Sequence, residues 1–161
     1  MKNNFYEISK IACDSLEKGD KFFNEGNYIE ALNEYNTALS NFTRLFTFNN
    51  PHDHNRAYCS GKMAQCHMIL KNVNDAIYNF EASIKLEPIP EFIYNLTSIY
   101  QLQNNYDKVF EYSKILLETV NKDLSSNDNQ YYKSEAIKFL EALENNNYER
   151  AKQYLDNNVM R

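Results

Sequence analysis

The sequence predicts an all-α protein of about eight helices that pack as antiparallel pairs. Three observations support this prediction. The 161-residue chain is 43% hydrophobic and 24% charged, which is typical of a globular protein rather than of a disordered one. It holds three Gly and three Pro, too few for the many tight corners of a protein built from β-hairpins. The third observation is an internal repeat whose apolar residues recur at helical spacing.

Three segments of the chain align with one another and define this repeat. Each has a small residue followed three positions later by a large ring: Gly19 and Phe22, Ala64 and His67, Thr97 and Tyr100. Farther along, each has two more small or apolar residues, which are Ala31 and Ala38, Ala76 and Ser83, Val109 and Leu116. A small residue lets the second helix of a pair cross the first closely, and the ring fills the space one turn along. Each segment is therefore predicted to form one helix pair.

The breaks between these helices follow from the same alignment. The second helices of the pairs are expected to begin at Tyr28, Val73 and Tyr106. The longest break is predicted at residues 49–55, which are rich in Asn and His. This loop would separate a helix that ends near Phe46 from one that begins near Arg56.

The two ends of the chain continue the helical pattern. Residues 4–11 are expected to extend the first helix, because their apolar side chains keep its spacing. Residues 129–158 are predicted to form a degenerate fourth pair with a turn at residues 145–147. A repeat array needs a terminal unit with a polar outer face, so this pair is interpreted as a cap. Residues 125–129 are interpreted as the linker before it.

The aligned segments resemble the tetratricopeptide repeat (TPR), a helix pair with a period of about 34 residues. The spacing from Ala76 to Val109 is 33 residues, and the spacing from Ala31 to Ala76 is 45. We assign the chain to a single domain, 1–161, with repeats at 12–45, 57–89 and 90–123. The resemblance implies a right-handed superhelical array of antiparallel helix pairs. The lengthened first junction, together with residues 62–70, is similar to the repeat domains of large immunophilins.

This resemblance implies a concave groove, lined by the first helix of each pair, that takes an extended peptide or a partner helix. Helical phase assigns the groove to Leu16, Asp20, Phe23, Tyr58, Lys62, Gln65, Glu91, Tyr94, Asn95 and Ser98. Tyrosine is a favoured anchor type, so Tyr58 and Tyr94 are expected to hold the partner with help from Leu16 and Phe23. Asp20 and Glu91 would select a basic or neutral partner. The alternative is that the tyrosines pack against the neighbouring repeat.

The best-known groove chemistry of this repeat family is a carboxylate clamp for the acidic tails of heat-shock chaperones, built from Lys, Asn and Arg. Here Leu16 and Asp20 stand at the clamp positions of the first repeat, and Lys62 stands at that of the second repeat. Glu91 and Asn95 stand at the clamp positions of the third repeat. Because two acids would repel an anion, we expect no binding of chaperone tails through this clamp. Lys62 remains the one donor for a carboxylate.

Composition and motifs argue against other classes of function. The net charge of −5, without a basic cluster, disfavours nucleic-acid binding. No stretch approaches the roughly 20 apolar residues of a membrane span. The chain has no Gly-rich phosphate loop, GxSxG or HExxH motif, so we expect neither an enzyme nor a cofactor. Three cysteines without a CxxC motif indicate a reducing, cytoplasmic location.

Two groups of potentially reactive residues are given structural roles. His52 and His54 flank Asp53, but ligands this close rarely complete a tetrahedral metal site alone, so a solvated loop without metal is expected. Cys59 and Cys66 lie seven residues apart, and neighbouring helix residues seldom give a Cys–His pair its geometry. His67 occupies the ring position of the repeat, so buried roles are expected for these side chains.

The leading hypothesis from the sequence is a non-enzymatic protein-interaction module. Two alternatives stay open at this point. In one, the groove is filled from within or the array self-associates as a structural subunit. In the other, the domain is a co-chaperone related to the immunophilins, which the long first junction favours and the losses in the clamp oppose.

Overall fold

The computed structural model describes residues 2–46 and 52–159, and this part of the chain is helical without a strand. The helices are α1 (Lys2–Asn24), α2 (Tyr28–Phe46), α3 (Asp53–Ile69), α4 (Val73–Leu86), α5 (Pro90–Leu102), α6 (Tyr106–Val120), α7 (Asn127–Asn145) and α8 (Glu149–Asn158). Consecutive helices pack against each other in pairs. The chain divides into two compact units, Met1–Glu87 with α1–α4 and Pro88–Arg161 with α5–α8.

The predicted fold class is confirmed, and most helix boundaries fall where the repeat places them. The second helices begin at Tyr28, Val73 and Tyr106, as predicted. Residues 4–11 belong to α1, and α2 ends at Phe46. The degenerate fourth segment forms a helix pair, α7 and α8. The pattern of small residues and rings is therefore sufficient to place these helices.

The start of α3 differs from the prediction. It begins at Asp53, so residues 53–55 are helical, while residues 49–51 of the predicted loop lie outside the described residues. Asp53 lies in the first turn, where a carboxylate interacts favourably with the helix dipole. Its Oδ1 accepts a hydrogen bond from Arg56 Nη1 at 3.0 Å. His54 Nδ1 lies 2.9 Å from Glu87 Oε1, which connects this turn to the end of α4.

The start of α7 also differs, because its first turn includes part of the predicted linker 125–129. The helix begins at Asn127. The side chain of Ser126 is the N-cap and accepts a hydrogen bond from the amide of Asn129 at 3.5 Å. A serine at this position satisfies one of the amides that a helix N-terminus leaves unpaired, so the helix starts earlier.

The first helix pair crosses closely at Gly19. A Cβ atom at this position would lie 2.7 Å from two ring carbons of Tyr35, which is well inside van der Waals contact. Tyr35 is fully buried, as are Ala31 and Ala38 on the same helix. The absence of a side chain at residue 19 therefore lets α2 pack a tyrosine ring against the backbone of α1.

The next two pairs contain small polar residues that bond to buried carbonyls. Ser83, which corresponds to Ala38 in the repeat, donates its Oγ to the carbonyl of Ala57 at 2.7 Å. In the third pair, Thr97 donates its Oγ1 to the carbonyl of Ile93 at 2.8 Å. Both hydroxyls are fully buried. Since a buried polar group is costly unless it is hydrogen-bonded, these bonds make the polar substitutions compatible with a packed crossing.

The same turn joins the two helices of every pair, including the degenerate one. Each turn contains one residue with a positive φ, namely Gly26 (81°), Lys71 (63°), Asn104 (53°) and Asn147 (60°). The amide of this residue bonds to the carbonyl three positions earlier, and the next amide bonds to the carbonyl five positions earlier, at 2.8–3.1 Å. This is the Schellman motif, which satisfies the last carbonyls of a helix. The repeat thus extends to the backbone of the fourth pair.

The fourth pair is shorter than the others by one residue at this turn. In the first three pairs, the buried residue of the second helix follows the positive-φ residue by five positions; these residues are Ala31, Ala76 and Val109. Ala151 follows Asn147 by only four. Its amide bonds to the carbonyl of Tyr148, three positions back, whereas the other three amides bond four positions back. This shortening offsets α8 by one residue relative to the second helices of the other pairs.

We expect Gly19→Ala to destabilise the protein. Forcing a methyl group against the ring of Tyr35 costs about 1–3 kcal/mol, which exceeds the gain in helix propensity of about 1 kcal/mol. Urea unfolding followed by circular dichroism measures the change. The exposed neighbour provides the control, since Lys18→Ala should change stability by less than about 0.5 kcal/mol. A Gly19→Ala variant more stable than the wild type would contradict this packing.

Lys71→Gly is expected to stabilise the protein by about 0.5–1 kcal/mol, because a side chain in the left-handed region is strained and glycine is not. The same replacement at Lys18, inside α1, should destabilise by about 1 kcal/mol through lost helix propensity. Thermal unfolding of the two variants gives the comparison. Equal losses in both would show that residue 71 is not held in the left-handed conformation.

Candidate functional site

In the first unit, the predicted residues of α1 and α3 meet at Asp20. Its Oδ1 accepts hydrogen bonds from the hydroxyls of Tyr35 at 2.7 Å and Tyr58 at 3.1 Å. Tyr35 comes from α2 and is fully buried, and Tyr58 comes from α3 and is half-buried. The carboxylate that was predicted to face a partner is therefore also an internal acceptor that connects three helices.

Phe23 and Lys62 form a second contact between α1 and α3. The Nζ of Lys62 lies 3.6 Å from the centroid of the Phe23 ring, a cation–π geometry. The ring also meets Tyr28 edge-on, with centroids 5.5 Å apart. Lys62, predicted as the one donor for a carboxylate, is thus positioned over an aromatic face of its own chain.

Leu16 and Gln65 contribute more to the interior of the first unit than to its surface. Leu16 is partly buried and packs against two clusters, one that contains Phe42 and another that contains Cys66. Gln65 is 7% exposed. Asp20, Phe23, Tyr58 and Lys62 are half-buried and keep surface that a partner could contact.

In the second unit, Tyr94 of α5 packs among rings of α7. Its ring centroid lies 6.2 Å from that of Tyr131, 5.7 Å from that of Tyr132 and 5.8 Å from that of Phe139. Tyr131 and Tyr132 are themselves 5.2 Å apart and nearly edge-on. We call Tyr94, Tyr131, Tyr132 and Phe139 the aromatic cluster. This contact matches the alternative given above for the tyrosines, in which they pack against the neighbouring repeat.

The other predicted groove residues of the third repeat lie along the same face of α5 as Tyr94. Glu91 is exposed in the first turn, and Asn95 is half-buried one turn later. Ser98 donates its Oγ to the carbonyl of Tyr94 at 3.0 Å, so its hydroxyl is satisfied within the helix. Glu91 and Ser98 lie three and four residues from Tyr94 and so beside it, and Asn95 lies four residues from Glu91 and three from Ser98. Glu91 is the most accessible of them.

Tyr35, Tyr131 and Tyr132 stay neutral at physiological pH. Burial, with Glu91 and Asp128 nearby, raises the pKa of Tyr132 to about 12. A hydrogen bond with Tyr94 raises the pKa of Tyr131. In the first unit, burial and the carboxylate of Asp20 raise the pKa of Tyr35 far above its usual value. These hydroxyls therefore act as hydrogen-bonding groups and not as phenolates.

The surroundings of Cys59, Cys66 and His67 do not favour a nucleophile. Cys59 and Cys66 are fully buried, and burial raises the pKa of their thiols to about 12 and about 11. Both thiols are accordingly protonated at neutral pH. His67 is half-buried, and its Nδ1 is enclosed without a hydrogen-bond partner. The prediction that these residues serve packing agrees with their positions.

The residues around His52 turn towards separate partners. The ring of His52 lies 5.3 Å from that of Phe42, Asp53 bonds to Arg56, and His54 bonds to Glu87. Within residues 2–46 and 52–159, no group of three His, Cys, Asp or Glu side chains could hold a metal ion. Across the same residues, no helix has both the length and the apolar character needed to cross a bilayer.

Part of the candidate site was not predicted from the sequence. Tyr131, Tyr132 and Phe139 were not among the predicted site residues, although the structure joins them to Tyr94. A signal was present, because residues 128, 131, 132, 135 and 139 repeat at helical spacing with aromatic or acidic side chains. The fourth segment was not aligned with the other three because Leu140 and Leu143 stand where those segments have a small residue and a ring.

No protein-family model matches the sequence, and no curated protein matches it significantly. The assignment to the tetratricopeptide repeat therefore stays a prediction from the residues of the three aligned segments.

Asp20→Ala is expected to destabilise the protein by about 1–3 kcal/mol, because the buried hydroxyl of Tyr35 loses its acceptor. Asp20→Asn keeps an oxygen at that position and should cost less. Urea unfolding compares the two variants with Asp14→Ala, which removes an exposed carboxylate of the same helix. If Asp20→Ala unfolds at the same urea concentration as Asp14→Ala, the bond from Tyr35 contributes nothing to stability.

Proposed function

We propose that the protein is a non-enzymatic protein-interaction module of the tetratricopeptide type, which holds an extended peptide or a partner helix against its first helices. One observation carries the proposal. In each unit, side chains of two successive first helices contact each other on one face: Tyr58 with Asp20 in the first unit, and Tyr132 with Tyr94 in the second. A binding face built from the first helices of successive pairs requires such contacts between them.

The side chains on these faces are suited to protein recognition. Half-buried tyrosines combine apolar area with a hydroxyl, and such residues are enriched where proteins bind one another. Phe23 and Tyr58 supply rings in the first unit, and Tyr94 supplies one in the second. Asp20, Lys62 and Glu91 place charges beside these rings, so apolar and aromatic contacts would anchor a partner and charge would decide which partner fits.

The charges disfavour the tails of heat-shock chaperones as ligands. Glu91 is exposed where the clamp would need a cation, and Asp20 is a second carboxylate on the binding side. The ammonium group of Lys62 lies against the ring of Phe23 instead of extending into solvent. The carboxylates of Asp20 and Glu91 would therefore repel an acidic tail, and the one cation, Lys62, already contacts an aromatic ring. These charges support a neutral or basic partner.

Other features support the non-enzymatic and cytoplasmic parts of the proposal. The buried thiols are protonated, and His52 and His54 interact with Phe42 of α2 and with Glu87 at the end of α4. All three cysteines are free thiols, as expected for a protein in a reducing compartment.

Affinity capture from native lysate tests the proposal with a matched pair of variants. Glu91 and Glu149 are both exposed glutamates in the first turn of a helix, but Glu91 lies on α5 and Glu149 on the second helix α8. Reversing the charge therefore perturbs each helix terminus equally. Quantitative mass spectrometry should show at least a fivefold loss of the retained partner for Glu91→Lys and no loss for Glu149→Lys.

Two results would contradict the proposal. One is a set of retained proteins that is identical for wild type and Glu91→Lys. The other is the retention of no protein above the level found with an unrelated bait of similar size and charge. Circular dichroism of both variants establishes that they remain folded.

A further inference from the structure

The aromatic cluster of the second unit presents ring surface to solvent. Tyr131 is 52% exposed, although its ring packs against two other tyrosines. Tyr94 and Tyr132 are half-buried, and the ring of Phe139, which is 7% exposed, packs against that of Tyr94. The three tyrosines pack against one another and keep accessible surface. Such a surface combines fixed geometry with polar hydroxyls.

Carboxylates accompany these rings on both helices. Asp128 and Glu135 lie at helical spacing from Tyr131 and Tyr132, so they share one face of α7. Their charges are felt by the rings, since Asp128 contributes to the raised pKa of Tyr132 and Glu135 to that of Tyr131. On α5, Glu91 stands one turn before Tyr94 and also acts on Tyr132. Because Glu135 is ion-paired with Lys138 at 2.6 Å, the acidic setting of the rings comes from the exposed carboxylates of Asp128 and Glu91.

Elsewhere in the chain, aromatic rings are covered by cations of the protein itself. Lysines or an arginine lie 3.6–5.5 Å from ring centroids in five contacts: Lys62 over Phe23, Lys108 over Tyr112, Lys114 over Phe110 and Tyr154, and Arg150 over Phe110. Among the described residues, no cation covers a ring of the aromatic cluster. Lys138, on the same helix, bonds to Glu135 Oε1 at 2.6 Å instead.

We propose that the aromatic cluster binds an arginine side chain of the protein partner. The guanidinium would stack on the ring of Tyr131 and direct its N–H groups towards the phenolic oxygens and the carboxylates of Asp128 and Glu91. This inference rests on the proposed function and deepens it, because it names the chemistry by which one unit recognises its partner.

Charge and shape together select this occupant. The surrounding carboxylates attract a cation and repel an acidic side chain. A guanidinium is planar, stacks on aromatic faces and carries five donors, whereas the ammonium of lysine is a compact and strongly hydrated charge. Three phenolic oxygens within one cluster offer acceptors to a flat, multi-donor group. Arginine therefore fits the cluster better than lysine does.

The test is an NMR titration of the full-length ¹⁵N-labelled chain with the peptide acetyl-Arg-Arg-Arg-amide. Parallel titrations use the corresponding tri-lysine and tri-glutamate peptides. We expect the largest amide shifts at Tyr131, Tyr132 and their neighbours in α5. The arginine peptide should bind at least threefold more tightly than the lysine peptide, and the glutamate peptide should cause no shifts in the cluster.

Three variants separate the ring from other contributions. Tyr131→Ala should weaken binding of the arginine peptide at least fivefold, whereas Tyr131→Phe should keep the affinity within about twofold because stacking needs the ring. Tyr78→Ala is the matched control, since Tyr78 is an exposed tyrosine of α4 outside the cluster, and it should leave the affinity unchanged.

Several results would overturn the inference. These are the absence of shifts at millimolar arginine peptide, shifts spread over the acidic surface without preference for the cluster, and equal affinity of Tyr131→Ala and wild type. Equal affinity for the lysine peptide would contradict the assignment of a guanidinium.

Capture with the same variant distinguishes this inference from the proposed function. A partner that is lost with Glu91→Lys but fully retained by Tyr131→Ala would contradict only the arginine site. Conversely, specific binding of the arginine peptide by a chain that retains no partner from lysate would contradict only the interaction-module function.

Discussion

The close crossing of α1 and α2 at Gly19 is the constraint on which the first unit depends. Because no side chain separates the two helices there, the ring of Tyr35 lies against the backbone of α1. Its hydroxyl then reaches Asp20, and the same carboxylate also accepts the hydroxyl of Tyr58 from α3. A packing requirement between two helices thus fixes the position of a third, and with it the face on which Phe23 and Lys62 meet.

Helix placement could be predicted from the sequence where it depends on local periodicity. The starts of α2, α4 and α6 follow from the spacing of small residues and rings. The start of α3 could not be predicted, because it involves the contact of His54 with Glu87, which is distant in sequence. The left-handed turn at Lys71 was equally hidden, since lysine is not a turn residue and the geometry is imposed by the helices on either side.

The candidate site was predicted only in part, for a related physical reason. Helical phase identifies which residues share a face of one helix, so Asp20, Tyr58 and Tyr94 were found. It does not identify what each side chain contacts on the next helix, and so the pairing of Lys62 with Phe23 was not anticipated. Tyr131 was missed because Leu140 and Leu143 replace the small residue and the ring of the repeat in α7, so the fourth segment could not be aligned with the other three.

Hydrogen–deuterium exchange of the full chain, with and without the partner retained in capture, tests most directly whether the first helices form the binding surface. The account predicts that the partner slows exchange in peptides from α1, α3, α5 and α7 and leaves those from α2, α4, α6 and α8 unchanged. Slowed exchange confined to the second helices would contradict it, as would equal slowing along the whole chain.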